Sequence, residues 1–275
     1  KQVAADERYW VSVFDRSVPT LDLPTDRPRR AVRGFASQRV DYRIEPALVE
    51  AVRKLGAAHG ASLFATMFGL FGALMARLGA DDSGEVVVGV PSAGQAARDA
   101  TELVGHCVNL LPVRMTVDPA EPVGGLLRRA SGAVLDAYEH QSCTFGRLLS
   151  KLAIARDPGR LPLAAVQFNI DSPIAPADLA APGVAVELRS NPRAFENFEL
   201  FVNATQTGGA VVLECQYNTD LFDEETVQRW LDLYRAALER AVEQPGSALA
   251  ALFGAARADL ERLAAFNATA MAYPA

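Results

Sequence analysis

Glu85-Val-Val-Val-Gly-Val-Pro91 and Val104-Gly-His-Cys-Val-Asn-Leu-Leu-Pro-Val-Arg114 are the two runs on which the fold turns. The first holds an unbroken apolar stretch, Val86 to Val90, between Gly84 and Pro91. A short apolar run closed by such breakers reads as a strand buried on both faces. The thirteen residues from Ser92 to Val104 are mostly small or polar and keep no period. A connection of that length inside a compact domain is usually functional or disordered. The chain then returns to an apolar run, Cys107 to Val113, interrupted by one amide, Asn109. A buried amide must be matched by hydrogen bonds, so Asn109 either pins neighbouring backbone or faces a cavity.

Upstream, residues 3 to 14 place Val3, Tyr9, Trp10, Val13 and Phe14 at helical spacing around Asp6, Glu7 and Arg8. Three prolines between Pro19 and Pro28 then forbid regular helix and predict an extended segment. Arg39 to Ile44 alternates as a strand. Pro46 opens a helix to His59 with Leu48, Val49, Val52 and Leu55 on one face, and Gly60 stops it. Ser62 is set to cap a second helix, Leu63 to Leu78, that is apolar on nearly all sides and so must be buried. Gly69 and Gly72 inside it allow neighbouring groups to approach closely.

Downstream, Met115 and Val117 extend the strand to Asp118-Pro119. Pro122 to Glu139 reads as a helix with Leu126, Leu127, Ala130, Val134 and Leu135 inward. Phe145 to Ala153 reads as another, and Leu163 to Ile170 as a buried strand. Asp171 to Pro182 has the composition of an exposed excursion, and Val184 to Leu188 alternates as a strand. Phe198 to Thr205 and Val211 to Tyr217 form a hairpin across Gly208-Gly209. Asp223 precedes a helix from Glu224 to about Glu243, with Val227, Trp230, Leu231, Tyr234 and Leu238 inward; a final helix and a linker-like end follow. This order predicts an α/β fold, a layered sandwich with a mixed β-sheet and flanking helices.

Half of the 275 residues are hydrophobic and 22% are charged, which calls for a packed core. The net charge of −6 and the absence of a basic block disfavour nucleic-acid binding. The most apolar run, Leu63 to Ala76, has fourteen residues, short of the roughly 20 that span a bilayer, so no membrane partner is expected. Cys107, Cys143 and Cys215 are too scattered for a disulfide framework or a zinc site, which suits buried thiols in a reducing cytoplasm.

Chemistry-bearing motifs are sparse. His59, His106 and His140 make no metal pair, and no phosphate loop or dinucleotide fingerprint is present. Gly89-Val-Pro-Ser-Ala-Gly94 is not a nucleophile elbow. His106 and Cys107 are adjacent, so on a strand they point to opposite faces and cannot act as base and nucleophile. His140-Gln141 at a helix end is suited to bonding chain termini. Arg156, Asp157 and Arg160 read as a turn held by ion pairs, or alternatively as a surface facing a protein partner.

The run Val104-Gly-x-x-Val-Asn-x-Leu-x-x-Arg114 resembles a signature of condensation domains in nonribosomal peptide synthetases. Further stretches resemble the same family in the same order. They are Val86-Val-Val-Gly-Val-Pro-Ser-Ala-Gly-Gln95, His140-Gln-Ser-Cys-Thr-Phe145, Arg156-Asp-Pro-Gly-Arg-Leu-Pro-Leu163, Tyr217-Asn-Thr-Asp-Leu-Phe-Asp223 and Phe266-Asn-Ala-Thr. Gln95, Ser142, Thr144 and Gly146 depart from the family pattern. His106-Cys107, Thr144-Phe-Gly146, Phe168-Asn-Ile-Asp171 and Ser190-Asn-Pro-Arg193 add a softer likeness to the branch found in hybrid polyketide–peptide lines.

The resemblance implies one chloramphenicol-acetyltransferase-like lobe of the two that face each other across a tunnel in this family. The family's His-His-x-x-x-Asp-Gly motif, whose second histidine assists amide formation, has no counterpart here. The expected division is an inter-lobe helix and linker over 1–30, the C-terminal lobe over 31–253, and a linker toward an adenylation domain over 254–275. Carried over from the family, Asn109, Arg114 and Gln141 are positional residues of the substrate and pantetheine tunnel. Arg156 and Arg160 fall to carrier docking or to the structural turn, and no residue is assigned as catalytic or metal-binding. The implied partners are an N-terminal lobe, a peptidyl or acyl carrier protein bearing 4'-phosphopantetheine-tethered substrates, and an adenylation domain. A scaffold lobe that catalyses nothing is the alternative, and a free-standing acyltransferase using Cys107 a third reading. An apolar face is expected to be exposed where the first lobe would sit.

Overall fold

The computed structural model describes residues 2–94, 102, 104–154, 156–171, 184 and 190–254. The expected excursion after Asp171, the strand over 184–188, most of the connection after Ser92 and the segment after Gly254 therefore lie largely outside the described residues. The described elements are α1 (Gln2–Val13), β1 (Ser37–Ile44), α2 (Pro46–Ala58), α3 (Leu63–Gly79), β2 (Glu85–Ala93) and β3 (Val108–Thr116). They continue with α4 (Val123–Glu139), α5 (Phe145–Lys151), β4 (Val166–Ile170), β5 (Leu200–Thr207), β6 (Ala210–Asn218), α6 (Glu224–Glu243) and α7 (Leu249–Leu252).

The six strands form one mixed sheet in the order β1-β6-β5-β4-β2-β3. β4 runs parallel to β2 and to β5, and the other three pairings are antiparallel. The register gives the two faces different chemistry. Val40, Cys215, Val202 and Phe168 stand side by side across four strands and are all buried. One residue along, Asp41, Glu214, Asn203 and Asn169 make a polar row on the opposite face.

The apolar face carries the helices. α3 is buried nearly all round, as its composition demands, and Ser62 caps it by accepting a hydrogen bond from the Ala65 amide. A Cβ at Gly72 would lie 2.0 Å from the Met115 methyl, so the glycine lets β3 seat its methionine against the helix. The Phe71 and Phe168 rings pack at a tilt with centroids 5.1 Å apart, and the buried Tyr234 of α6 donates to the Met67 carbonyl at 2.7 Å. No single helix in the described residues is long and apolar enough to cross a membrane; the bent α2–α3 pair reaches that composition as core. The β5–β6 hairpin turns on Gly208 (φ +57°) and Gly209 (φ +82°), as the Gly-Gly pair predicts.

Several expectations shift at their edges. β2 continues through Pro91 to Ala93. The Gly84–Val117 and Gly94–Cys107 backbone bonds fix the ladder phase, so the even residues of β2 bond β3 and the nitrogen of Pro91 points away from it. Pairing to β4 on that other side is confined to Val88 and Gly89, so Pro91 deprives the ladder of no donor. β4 begins at Val166, not Leu163, because Leu163 sits at φ +68° and the Ala164 amide turns back to the Pro162 carbonyl. Leu135 lies outward, 61% exposed. α5 ends at Lys151, and Asp223 gives α6 no side-chain cap because its carboxylate is bonded to Arg27.

Candidate functional site at the ends of β3

Asn109 stands on β3 directly opposite Ser92 of β2. Its Nδ2 donates to the carbonyls of Gln141 (3.0 Å) and Cys143 (2.9 Å), and its Oδ1 accepts from the Phe145 amide at 3.0 Å. Both amide protons and the carbonyl are thus spent on the α4–α5 turn. Of the two readings of this residue, pinning of backbone is the one observed. Gln141 joins the same knot, its Oε1 accepting from the Ser92 hydroxyl. The structure therefore brings Asn109 and Gln141 together, with Ser92 as a third member.

α1 closes on that turn from outside. Asp6, fully buried, accepts from the Ser142 amide (3.0 Å) and from Gln2 Nε2 (2.7 Å), and lies 3.2 Å from Nδ1 of His140. Trp10 donates to the His140 carbonyl at 2.8 Å, and Tyr9 stacks on the His140 ring at 3.9 Å. Glu7 is held below the usual carboxylate range by its hydrogen bond with Arg147, with Lys151 adding to the effect. Burial pushes the Tyr9 phenol up to about 12, and Asp136 and Glu139 add to that.

Arg114 lies five residues from Asn109, an odd offset that sends it to the opposite face of β3. It forks onto Glu85 through Nε (3.1 Å) and Nη2 (2.6 Å). Its remaining donors reach the carbonyls of Val13 (2.7 Å) and Ser17 (2.9 Å) and the Ser17 hydroxyl (2.9 Å). All five guanidinium donors are engaged. Arg114 therefore holds the end of α1, and no single wall contains both it and Asn109.

The 156–160 turn forms a second locus. Arg160 donates to Asp22 at 2.6 Å and lies 3.8 Å from Asp157, an ion-paired turn as predicted. The bond to Arg160 also holds Asp22 below the usual carboxylate range. A cleft of about 330 Å³ opens here between Pro19–Leu21 and Leu161–Leu163, floored by Val87, Ala165 and Glu199. Glu199 is buried and paired with Arg29 at 2.6 Å. A neighbouring cleft of about 500 Å³, lined by Leu149, Arg156 and Pro158, shares Ile154, Asp157 and Pro162 with it. Arg156 is exposed on that lip.

The sequence pointed to Asn109, Arg114, Gln141 and the Asp157–Arg160 pair but not to Glu85 and Ser92 as the partners of Arg114 and Gln141, nor to the buried Asp6 behind His140 and Ser142. Only the three-dimensional closure of α1 and β2 onto β3 selects them. Chemically, the arrangement ties segments of this chain to one another through hydrogen bonds and ion pairs. Cys107 precedes β3 in irregular chain and its carbonyl accepts from Gly94. Burial raises the thiols of Cys143 and Cys215, which disfavours their thiolates. Among the described residues, no Ser, Thr or Cys side chain bonds the second ring nitrogen of His140, so the His140–Asp6 pair faces no nucleophile. No group of three metal-ligating side chains occurs among the described residues either.

The family model described as "Condensation domain" matches residues 1–263. Surfactin synthase subunit 1 of Bacillus subtilis (strain 168) is 30% identical over 241 residues, covering 87% of this chain and 7% of that protein. Tyrocidine synthase 3 of Brevibacillus parabrevis is 29% identical over 248 residues, covering 89% of this chain and 4% of that one. A four-domain nonribosomal peptide synthetase, holo-AB3403 bound to AMP and glycine, superposes with a TM-score of 0.82 at 20% identity, over 94% of this chain and 21% of that one. The condensation domain of the Monacolin K polyketide synthase MokA gives 0.78 at 19% identity, over 90% of this chain and 59% of that domain. At these identities the structural likeness speaks for the fold. The chain spans under a tenth of the surfactin and tyrocidine synthases and about six-tenths of the MokA domain.

Proposed function

The chain belongs to the condensation-domain family of nonribosomal peptide synthetases, and from that premise we propose that it is the C-terminal, chloramphenicol-acetyltransferase-like lobe of such a domain. It would serve amide formation between two carrier-bound thioesters. In that reaction the acceptor amine attacks the donor thioester carbonyl, an amide C–N bond forms, and the pantetheine thiol leaves with the proton. The lobe supplies position: the Asn109 knot fixes the end of β3 and the α4–α5 turn, and the Arg114 fork fixes α1 against β2 and β3. Positioning of this kind can carry several kcal/mol of a barrier.

The observation that carries the reading is the family match along nearly the whole chain, joined to a site with hydrogen-bonding anchors but no base–nucleophile pair among the described residues. Partial coverage of an isolated condensation domain supports the assignment to one lobe. In this reading residues 1–30 are the inter-lobe helix and linker, 31–253 the lobe, and 254–275 the linker toward an adenylation domain. Asn109 and Gln141 brace the α4–α5 turn on one side of β3, Arg114 braces α1 on the other, and the clefts beside Arg156 and Arg160 face the phosphopantetheine-bearing carrier protein. The three free cysteines among the described residues suit a reducing, cytoplasmic setting.

The test is reconstitution. The chain is combined with a first lobe bearing His-His-x-x-x-Asp-Gly and with two loaded carrier domains, and the amide product is followed by mass spectrometry. Product is expected with both lobes and none with either alone. Product from this chain alone would refute the division of labour. Silence with every competent first lobe would favour a non-catalytic scaffold for an adenylation domain.

A further inference from the structure

The turn between α4 and α5 is gripped from two sides in alternation. Trp10 of α1 bonds the His140 carbonyl and Asn109 of β3 the Gln141 carbonyl. Asp6 of α1 bonds the Ser142 amide, and Asn109 again takes the Cys143 carbonyl and the Phe145 amide. One peptide unit carries both grips. No peptide bond among the described residues is cis, so the Gln141 carbonyl and the Ser142 N–H point opposite ways from a single rigid plane. β3 holds that plane by its oxygen at 3.0 Å and α1 holds it by its nitrogen at 3.0 Å. A rotation of the plane therefore strains both bonds at once.

The β3 side of the grip extends to β2, where Ser92 stands opposite Asn109 and donates to Gln141 Oε1. The α1 side is built for release. Only Asp6 and Trp10 of its twelve residues are buried, whereas α3 buries twelve of seventeen. A helix this short is marginal in isolation, so α1 depends on what it touches. Beside Trp10, its hold on the turn rests on Asp6, on Tyr9 stacked over the His140 ring, and on Glu7 with Arg147 and Lys151, whose cations are about half exposed. Few buried apolar contacts and many bonds near solvent mark a segment that opens without unfolding the whole.

We infer that α1 is a releasable strap: its docking and the Asn109–Ser92 closure form one two-state element. Undocking α1 turns the Gln141–Ser142 plane, opens the 140–145 turn and loosens the ends of β2 and β3 together. The coupling is reciprocal, so what weakens the α1 side weakens the β3 side by the same factor. The Arg114 fork lies outside this element, since it holds the carbonyls of Val13 and Ser17 from the other face of β3. The inference stands on these bonds and does not depend on the condensation reading.

Residue-resolved amide hydrogen exchange on the full chain is the test. Asn109→Ala is expected to speed exchange at Ser142, and Asp6→Ala or Trp10→Phe to speed it at Phe145, each by about tenfold or more relative to the amides of α3. In each case the amide followed is not bonded to the residue replaced. Trp10→Phe keeps an aromatic ring in the core and guards against a variant that does not fold. Cys143 gives an independent readout, being 2% exposed within the turn while Cys215 of β6 is 1% exposed. Alkylation of Cys143, followed by mass spectrometry, is expected to accelerate about tenfold in all three variants with Cys215 unchanged. The inference is overturned if each substitution speeds exchange only at its own bonded amide, or if Cys143 stays closed in the α1 variants. Equal acceleration at Cys143 and Cys215 also overturns it, because the turn then opens only with the whole fold.

Discussion

Asn109 and Arg114 share one strand and hold it by opposite means. Asn109 is a neutral amide, and every bond its side chain makes is to backbone within one turn, Gln141 to Phe145. Arg114 is a charge that binds a carboxylate on β2 and two stretches of chain around the end of α1. The first reads the shape of a turn, and the second joins three separate pieces of chain. Because the two point to opposite faces of β3, they fail independently and should differ in size, in response to pH and in what restores them.

Arg114→Ala is expected to have the larger effect. Arg114 and Glu85 are 15% and 22% exposed, so the change leaves a largely buried carboxylate unpaired and frees the carbonyls of Val13 and Ser17. A loss of about 3–4 kcal/mol is expected. The checks are chemical denaturation and protease cleavage after α1. Replacing both partners, Arg114→Met with Glu85→Leu, should recover much of the global stability, because the unpaired charge is gone. It should leave residues 13–17 cleavable, because their carbonyls still lack a donor. Full recovery of both readouts would mean that the fork does not hold α1.

Asn109→Ala should cost less, about 2–3 kcal/mol for three neutral bonds to a partly buried turn. Asn109→Asp sharpens the contrast. The introduced carboxylate would face two carbonyl oxygens and the Phe145 amide, so its folded-state pKa must rise above the unfolded value. A raised pKa adds stability as pH falls, so the deficit of Asn109→Asp relative to the native chain should be largest near neutrality and shrink below about pH 5. Urea melts of the two proteins across that range test the sign. A constant deficit would mean that the introduced carboxyl does not face the carbonyls of Gln141 and Cys143.

The same contrast explains what could be read from the chain in advance. The Val86–Val90 run, the all-round apolarity of α3 and the Gly208-Gly209 turn each follow from local chemistry, and with them came the mixed sheet and its helical layer. Pro91 misled because proline ends a strand only where its missing donor is needed, and that depends on which neighbour lies on that side. Leu163 misled because a left-handed leucine has no sequence signal. Asn109 was legible as a polar residue inside an apolar run. Its partners were not, since a turn 32 to 36 residues away supplies them. Asp6 was the hardest: on α1 it looks like any charged residue of an amphipathic helix, yet it is fully buried.

The smallest predicted effect lies beside Asp6 and separates the fully buried tie from the one at the surface edge. Glu7 reaches Arg147 and Lys151 of α5 across the surface and is held below its ordinary value of 4.5. A depressed folded-state pKa gives stability that is present above the unfolded value and lost as pH falls through the folded one. Docking of α1 should therefore weaken as pH falls below the ordinary carboxylate value of 4.5, and salt should blunt the effect because the Arg147 and Lys151 cations are about half exposed. Trp10, 2% exposed and bonded to the His140 carbonyl, reports the event by its fluorescence. Glu7→Gln should flatten part of the acid transition while leaving stability at neutral pH close to that of the native chain, because the freed Arg147 and Lys151 are about half exposed and stay hydrated. If the acid transition of Trp10 is the same in Glu7→Gln, the proton is taken up elsewhere in the α1 junction and the surface pair contributes nothing to holding the helix.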